Sequence, residues 1–310
     1  MKRTYAADGH LVHDPATGLT HHAPNPLPAG RVRWEQTEVS GWPVVAPAEL
    51  GRVMPVSVCW SPIVRCNLHC PHCLDDTSVP ELNKTDRGRI AGVLAAAGVL
   101  GVDISGGEPL LLRELPALAQ RIAAAGHTVV SVTTNGWHLA RRVEDLAQTV
   151  DAIRVSLDGA DAASHDRLRG AGSFARAQDG IRTAVSAGIP LQIQMVLMAS
   201  NHTATQQLVD LATDLGAGGV SFLQMLPLGA GRQRPEEMLS DVAAARLLSG
   251  LQVSDRLRVR LRARTAAGGF TVVRADGRVW RNDHAALRID GVRPLTTATD
   301  LALTTQDGSA

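Results

Sequence analysis

From residue 56 onward the chain passes through six short runs rich in β-branched residues, separated by longer Ala/Leu-rich runs of helical period. The extended runs fall at 56–60, 102–105, 128–134, 152–157, 191–198 and 220–224. Amphipathic stretches lie between them at 86–100, 112–125, 140–150, 174–187 and 203–215. Gly98, Gly126, Gly188 and Gly216 stand where those helices should stop, the place just past a helix C-terminus that glycine fills without strain. Strands joined through helices pair in parallel, and right-handed crossovers curl such a sheet upon itself. The expected fold is therefore α/β: an incomplete (β/α)6, TIM-like parallel barrel carried by residues 53–232.

On either side of this core, residues 1–52 and 233–295 suggest small N- and C-terminal β additions. Asp8-Gly9 and Asp276-Gly277 each suit a type I′ turn, so a hairpin is expected at both, the second between 270–275 and 278–280. Residues 296–310 are polar with weak periodicity and are expected to form a loose tail. With 310 residues, 45% of them hydrophobic, the chain can bury a sizeable core. A net charge of +1 exerts no global pull toward nucleic acid or an anionic membrane. No run approaches the roughly 20 apolar residues that span a bilayer, and the first residues lack an apolar signal core, so a cytoplasmic protein is expected.

In a barrel of this kind reactive groups belong at the C-terminal ends of the strands. The unusual segments fall there repeatedly. Ser105-Gly106-Gly107-Glu108-Pro109 follows the second run, Thr134-Asn135-Gly136 the third, and Ser156-Leu157-Asp158-Gly159 ends the fourth. Ser200-Asn201 follows the fifth and Leu226-Pro227-Leu228-Gly229 the sixth. After the first comes Cys66-Asn67-Leu68-His69-Cys70-Pro71-His72-Cys73, a C-x3-C-x2-C triplet. Closed zinc and ordinary iron–sulfur sites use four protein ligands, whereas three thiolates leave one metal position open for something that reacts. All four cysteines lie between 59 and 73, too clustered to staple a chain of this length as disulfides.

This triplet resembles the signature of the radical S-adenosylmethionine (SAM) superfamily, and with the ordered rim motifs the resemblance spans residues 53–232. It implies that Cys66, Cys70 and Cys73 hold one [4Fe-4S] cluster whose fourth iron is chelated by SAM. One electron from a reductant such as flavodoxin or ferredoxin would then cleave SAM to a 5′-deoxyadenosyl radical that takes hydrogen from a substrate. Gly106 and Gly107 let backbone approach a ligand and Glu108 supplies an anion, and the resemblance assigns this segment to the SAM amino group. Ser156 and Asp158 are placed to hydrogen-bond ribose or carboxylate. Arg169 is assigned to the SAM carboxylate, with Arg167 as the alternative, while Asn201 and the backbone from Leu226 to Gly229 resemble adenine-side contacts. His72 stands where the family often has an aromatic residue and is expected to pack against adenine.

The stretch His165-Asp166-Arg167-Leu168-Arg169-Gly170, with Gly172-Ser173-Phe174 after it, is similar to one common in peptide-modifying members. A ribosomally made peptide is the expected substrate, and a small molecule such as a sugar or amino acid is the alternative. Asp276-Gly277-Arg278-Val279 resembles the start of a SPASM or twitch extension. Arg281-Asn282-Asp283 nonetheless stands where a cysteine is expected, and none follows Cys73. One cluster is therefore expected, which favours redox-neutral or reductive outcomes.

A non-catalytic iron–sulfur electron-transfer protein or a zinc protein is the reading of another class, but a zinc knuckle explains none of the downstream rim motifs. Cys59, inside an apolar run, reads as a small buried hydrophobe. If a hydrogen donor is needed, Cys59 and Tyr5 are the candidates outside the triplet. His69 and His72 read as packing or hydrogen-bonding partners. The alternating arginines 256, 258, 260, 262 and 264 place guanidiniums on one strand face. They suit either a solvated edge that deters aggregation or a dock for an acidic peptide or phosphate by strand addition.

Overall fold

The computed structural model describes residues 2–45, 52–74, 77–264, 271–281 and 291–302. The chain opens with two long antiparallel strands, β1 (Lys2–His13) and β2 (Thr20–Glu35), followed by the short α1 (Gln36–Val39). Their turn is not at Asp8-Gly9. It lies at 14–19, where Asp14 accepts hydrogen bonds from Ala16 N and Thr17 Oγ1, and Gly18 N bonds back to Asp14 O. Gly9 instead absorbs a register shift inside β1, because a left-handed residue fits a bulge as readily as a turn.

The core then runs β3 (Ser57–Trp60), α2 (Lys84–Ala96), β4 (Gly101–Ile104), α3 (Leu115–Ala123), β5 (Val129–Thr134), α4 (Val143–Ala147) and β6 (Ala152–Ser156). It continues through α5 (Ala162–Arg169), α6 (Ser173–Ser186), β7 (Leu191–Leu197), α7 (Thr205–Asp214), β8 (Gly219–Gln224) and α8 (Asp241–Ser249). All six expected strands are present within one residue at either end. The four helix-stopping glycines adopt φ between 68° and 78°. The expected helix at 140–150 is split into a 3-10 turn at Ala140–Arg142 and the short α4. An extra helix, α5, occupies the arginine motif. Its start is set by a capping box between Asp161 and Ser164.

The parallel ladder is longer than six strands. Beyond α8, β9 (Arg258–Arg262) adds in parallel to β8, and β10 (Thr271–Val273) adds in parallel to β3. β11 (Arg278–Arg281) and β12 (Arg293–Pro294) follow antiparallel, giving the order β12-β11-β10-β3-β4-β5-β6-β7-β8-β9. The expected Asp276-Gly277 hairpin forms between β10 and β11, with Arg278 N bonded to Asp276 Oδ1. Within the expected tail, Ala298–Leu301 forms a 3-10 turn that buries Leu301. Residues 303–310 lie outside the described residues.

Side-chain alternation along the strands separates two environments. Val58, Trp60, Val102, Ile104, Val130, Val132, Ile153, Val155, Ile193, Met195, Val220 and Phe222 belong to one apolar cluster with the helices. The opposite, inward face carries Cys59, Asp103, Ser131, Thr133, Arg154, Gln192, Gln194 and Ser221. At the N-terminal end of the strands the hairpin turn caps this lumen: Arg154 donates from Nη2 to Pro15 O at 2.5 Å and from Nε to Ala16 O at 3.1 Å. Arg31 ties β2 to the same end through Asp151 and Thr128 O.

Candidate functional site

The cysteine loop grows directly out of β3. Its stem continues the β3–β4 ladder past the end of the strands: Ser105 N bonds Trp60 O, Gly107 N bonds Ile63 O, and Glu108 N bonds Arg65 O, at 2.7, 2.8 and 3.0 Å. A side chain on Gly106 would strike Ile63 O, and one on Gly107 would strike the carbonyl oxygens of Val64 and Arg65. The two glycines are thus required by the stem of the cysteine loop itself. Glu81 holds the stem's other side by accepting from Val64 N and Arg65 N, and the buried Arg87 joins Pro62 O, Glu81 and Glu114.

Glu108 is fully buried and braces the second rim segment against the third. Oε1 accepts from Thr134 Oγ1 and Leu110 N, and Oε2 from Asn135 N, at 2.7–2.9 Å. Burial nonetheless pushes its pKa up, outweighing these bonds and the nearby Arg169. Asn135 in turn points Nδ2 at Cys66 Sγ at 3.6 Å and at Asn67 Oδ1 at 3.0 Å.

Cys66, Cys70 and Cys73 all stand half-buried on this loop, none of them in a disulfide. Burial raises the pKa of Cys66 and Cys70, while Leu68 N and Asn135 counter it at Cys66 and Arg169 counters it at Cys70. Among the described residues no three His, Cys, Asp or Glu side chains already stand together as a metal-holding group. The donor set still fits an iron–sulfur cluster. Three thiols share one loop, amide donors reach the Cys66 sulfur, and the Arg169 guanidinium lies near Cys70 and Cys73, where thiolate charge would gather.

At the fourth strand's end Asp158 and Arg169 form a deeply buried ion pair, Arg169 Nε donating to Asp158 Oδ2 at 2.5 Å. His72 Nε2 reaches the same oxygen at 3.0 Å, and Val196 N bonds Oδ1 at 2.9 Å. Burial alone would raise the Asp158 pKa, but Arg169 and His72 hold it well below the usual carboxylate range. His72 Nδ1 and Asn67 Nδ2 are buried without a hydrogen-bond partner, so each has a donor or acceptor to offer to a ligand at this rim. His165, stacked obliquely on Phe174, accepts from Asp158 N and is held neutral by burial, its pKa brought down to about 4.

The remaining rim residues have distinct surroundings. Arg167 is more exposed than Arg169, donating to Ser200 O at 3.4 Å. Asn201 is fully engaged inside the chain: it accepts from Met198 N and donates to Val196 O and Asp158 O. Ser156 and Leu226 are half-buried at the ends of β6 and β8. The β8 loop closes on the cysteine loop through Ala230 N to Cys73 O at 2.9 Å. A cavity of about 390 Å³ opens between the cysteine loop and α5, lined by Asn67, His69, Trp137, Arg167, Arg169 and Gly170. A larger one, about 810 Å³, lies on the outer side of α2 and α3 among Lys84, Arg89 and Arg121, and contains none of the rim residues.

The barrel interior adds residues that the motifs did not point to. Arg154 pairs with Asp103 at 2.5 Å, and Asp103 also accepts from Ser131 Oγ and Thr133 Oγ1. Cys59 is not packed among apolar groups as expected: it faces the lumen and lies 3.0 Å from Ser105 Oγ. Tyr5, the other expected hydrogen donor, is buried in the N-terminal hairpin. The arginine run does not form the expected solvated edge. Val259 and Leu261 pack on the core, so the parallel β9 turns Arg260 and Arg262 inward, Arg260 Nε bonding Ser221 Oγ at 2.9 Å. Arg258 reaches Ser40 Oγ, and Arg264 reaches Asp241 from beyond the strand. Polar residues at every second position of the parallel strands mark a polar inner face, but they do not say that β9 joins it.

A family model described as the Radical SAM superfamily matches residues 60–212. The chain is 33% identical over 190 residues to the PqqA peptide cyclase of Streptomyces rochei, covering 59% of this chain and 52% of that protein. It is 32% identical over 228 residues to the AdoMet-dependent heme synthase of Methanosarcina barkeri, covering 71% of this chain and 64% of that protein. It thus spans about half to two thirds of the length of these relatives. Streptococcus suis SuiB, solved bound to the precursor peptide SuiA, superposes with a TM-score of 0.61 at 18% identity, over 73% of this chain and 59% of SuiB. Together with the three thiols on the β3 loop and the glycine-clamped stem, these likenesses identify the chain as a member of the radical SAM superfamily.

Proposed function

We propose that this chain is a radical SAM enzyme that holds one [4Fe-4S] cluster through Cys66, Cys70 and Cys73 and modifies a ribosomally made peptide. When bound, the cluster and SAM supply one-electron cleavage of a carbon–sulfur bond and hydrogen abstraction by the resulting carbon radical. The observation that carries the reading is the rim itself: a three-thiol loop clamped by Gly106 and Gly107, facing the buried Asp158–Arg169 pair.

The roles of the chain's own residues follow from their surroundings. Arg169 has Nη donors to offer a carboxylate while Asp158 keeps its Nε in place. The backbone at Gly106 and Gly107 faces an amino group, and Glu108 fixes that backbone. Ser156 offers a hydroxyl to ribose, and Asn201 and Leu226 shape the side toward adenine. Asn135 steadies Cys66. An external reductant such as a flavodoxin or ferredoxin supplies the electron, since the chain's cysteines suffice for one cluster.

A peptide substrate is favoured because one relative is named for a peptide and SuiB was solved with one. The heme synthase relative keeps a small-molecule substrate as the second reading. Anaerobically reconstituted protein given dithionite and SAM is expected to release 5′-deoxyadenosine, and Cys70→Ala to abolish it. Release undiminished by Cys70→Ala, or none from protein with a full iron complement, overturns the reading.

A further inference from the structure

The segment that leaves β5 gathers positive charge beside the cysteine loop. It runs from Asn135 through the half-buried Trp137 and His138 into the 3-10 turn at Ala140–Arg142. Arg176, on α6, lies over the Trp137 ring at 5.9 Å from its centre, within reach of a cation–π contact. Arg142 is spent on structure: it donates to Leu110 O and Leu112 O and pairs with Asp145 at 3.3 Å. Arg141 and Arg176 are exposed, and among the described residues no carboxylate, Glu144 and Asp179 included, forms an ion pair with either. His138 sits among these cations. Burial, Arg141, Arg142 and Arg176 all push its pKa below the ordinary value, so the imidazole is neutral at pH 7 and the charge of the patch is carried by guanidiniums.

This patch has a short route to one of the thiols. Trp137 N donates to Asn135 Oδ1 at 2.9 Å, and Asn135 Nδ2 reaches Cys66 Sγ at 3.6 Å. Trp137 also lines the cavity of about 390 Å³ between the cysteine loop and α5, together with Asn67, His69 and Arg167. The inward-facing Cys59, Asp103 and Thr133 do not border that cavity, so it is distinct from the barrel interior. The other basic groove, at Lys84, Arg89 and Arg121, has no rim residue in its lining and no such link to a sulfur.

Resting on the radical SAM reading above, we propose that the surface around Trp137, Arg141 and Arg176 docks the acidic face of a small one-electron carrier protein, and that the electron enters through Asn135 to Cys66. Charge complementarity carries the choice of partner. Exposed guanidiniums around an aromatic ring attract a carboxylate-rich surface and speed its encounter. Arginine and tryptophan are enriched where such contacts are anchored. A carrier that must leave after each transfer needs only a small interface, which a patch of this size provides. The exchange is a single electron: the carrier is oxidised by one, the thiolate-held iron is reduced by one, and no bond or proton moves at the patch.

The test uses the reconstituted full chain with a purified flavodoxin reduced to its hydroquinone, and dithionite as the reductant that needs no docking; release of 5′-deoxyadenosine is the readout. For the wild type, the KM for flavodoxin is expected to rise at least about fivefold as ionic strength goes from about 0.05 M to about 0.5 M. Arg141→Glu combined with Arg176→Glu should raise that KM at least about tenfold at low salt, while the rate at saturating flavodoxin and the rate with dithionite stay within about twofold. The matched reversal in the other basic groove, Lys84→Glu with Arg121→Glu, should leave the KM within about twofold. A wild-type KM indifferent to salt, a KM unmoved by the Arg141 and Arg176 reversal, or an equal rise from the Lys84 and Arg121 reversal would each overturn the assignment. So would an equal loss with dithionite, which would place the damage in the site itself. The salt series needs no variant to fold. No release from the wild type under dithionite sinks the underlying reading and the dock with it, whereas release under dithionite with a salt-blind flavodoxin KM sinks only the dock.

Discussion

Arg169 and Asp158 meet at 2.5 Å, with the Asp158 side chain wholly buried and that of Arg169 one-tenth exposed. The pair joins the end of β6 to the end of α5, and His72 ties the cysteine loop to the same carboxylate. One anion therefore holds the distant cysteine loop to the consecutive β6 and α5.

Asp158→Asn should leave a buried guanidinium without its counter-charge, at a cost of about 3 kcal/mol in folding free energy. Because the folded Asp158 pKa is depressed, its contribution is present above the ordinary carboxylate range and fades only as pH falls below about 4. Urea denaturation at neutral and acidic pH checks both: the wild-type advantage over Asp158→Asn should persist at neutral pH and shrink in acid.

Gly107→Ala should displace the stem of the cysteine loop, since the added methyl meets the Val64 and Arg65 carbonyls. Overpacking of this kind costs about 1–3 kcal/mol. The sharper readout is iron bound per chain after anaerobic reconstitution, which should drop at least about twofold while the circular dichroism spectrum keeps its α/β shape.

His13 is buried at the plug against Thr20 Oγ1, and burial, reinforced by Arg154, lowers its pKa from 6.5 to about 3. The unfolded chain then binds the extra proton between those values, so stability falls as pH drops below about 6.5. His13→Asn should remove part of that slope. Between about pH 7.5 and pH 5 the wild type should lose roughly 2 kcal/mol more than the variant, measured by chemical denaturation.

Arg154→Met should break the Asp103 pair and the bonds to Pro15 O and Ala16 O together. A loss of about 3–5 kcal/mol is expected, as for a buried pair deprived of one partner. Limited proteolysis should show cutting first within the hairpin turn at 14–19, where the wild type is protected.

Much of this architecture was legible in one dimension. Period and glycine punctuation placed β3 to β8 within a residue, because each strand and its following helix are local objects whose signals lie within about fifteen residues. The rim motifs were legible for the same reason, each being a short run at a strand end. Asp8-Gly9 misled because a dipeptide favourable to left-handed backbone suits a bulge and a turn alike, and pairing with β2 chose between them. The arginine run misled because a strand pattern does not say which neighbour it will have.

The order of strands, the family signature and the three-thiol loop follow from residues close together along the chain. Tertiary structure alone decided that β9 and β10 extend the sheet at both ends, that Arg260 and Arg262 turn inward, that the hairpin turn seals the lumen, and that Asp158 gathers Arg169 and His72. Apart from Asp158 and Arg169, which are 11 positions apart, those contacts join groups dozens to more than a hundred positions apart. Their partners are selected by burial and charge in three dimensions, for which no local pattern carries a record.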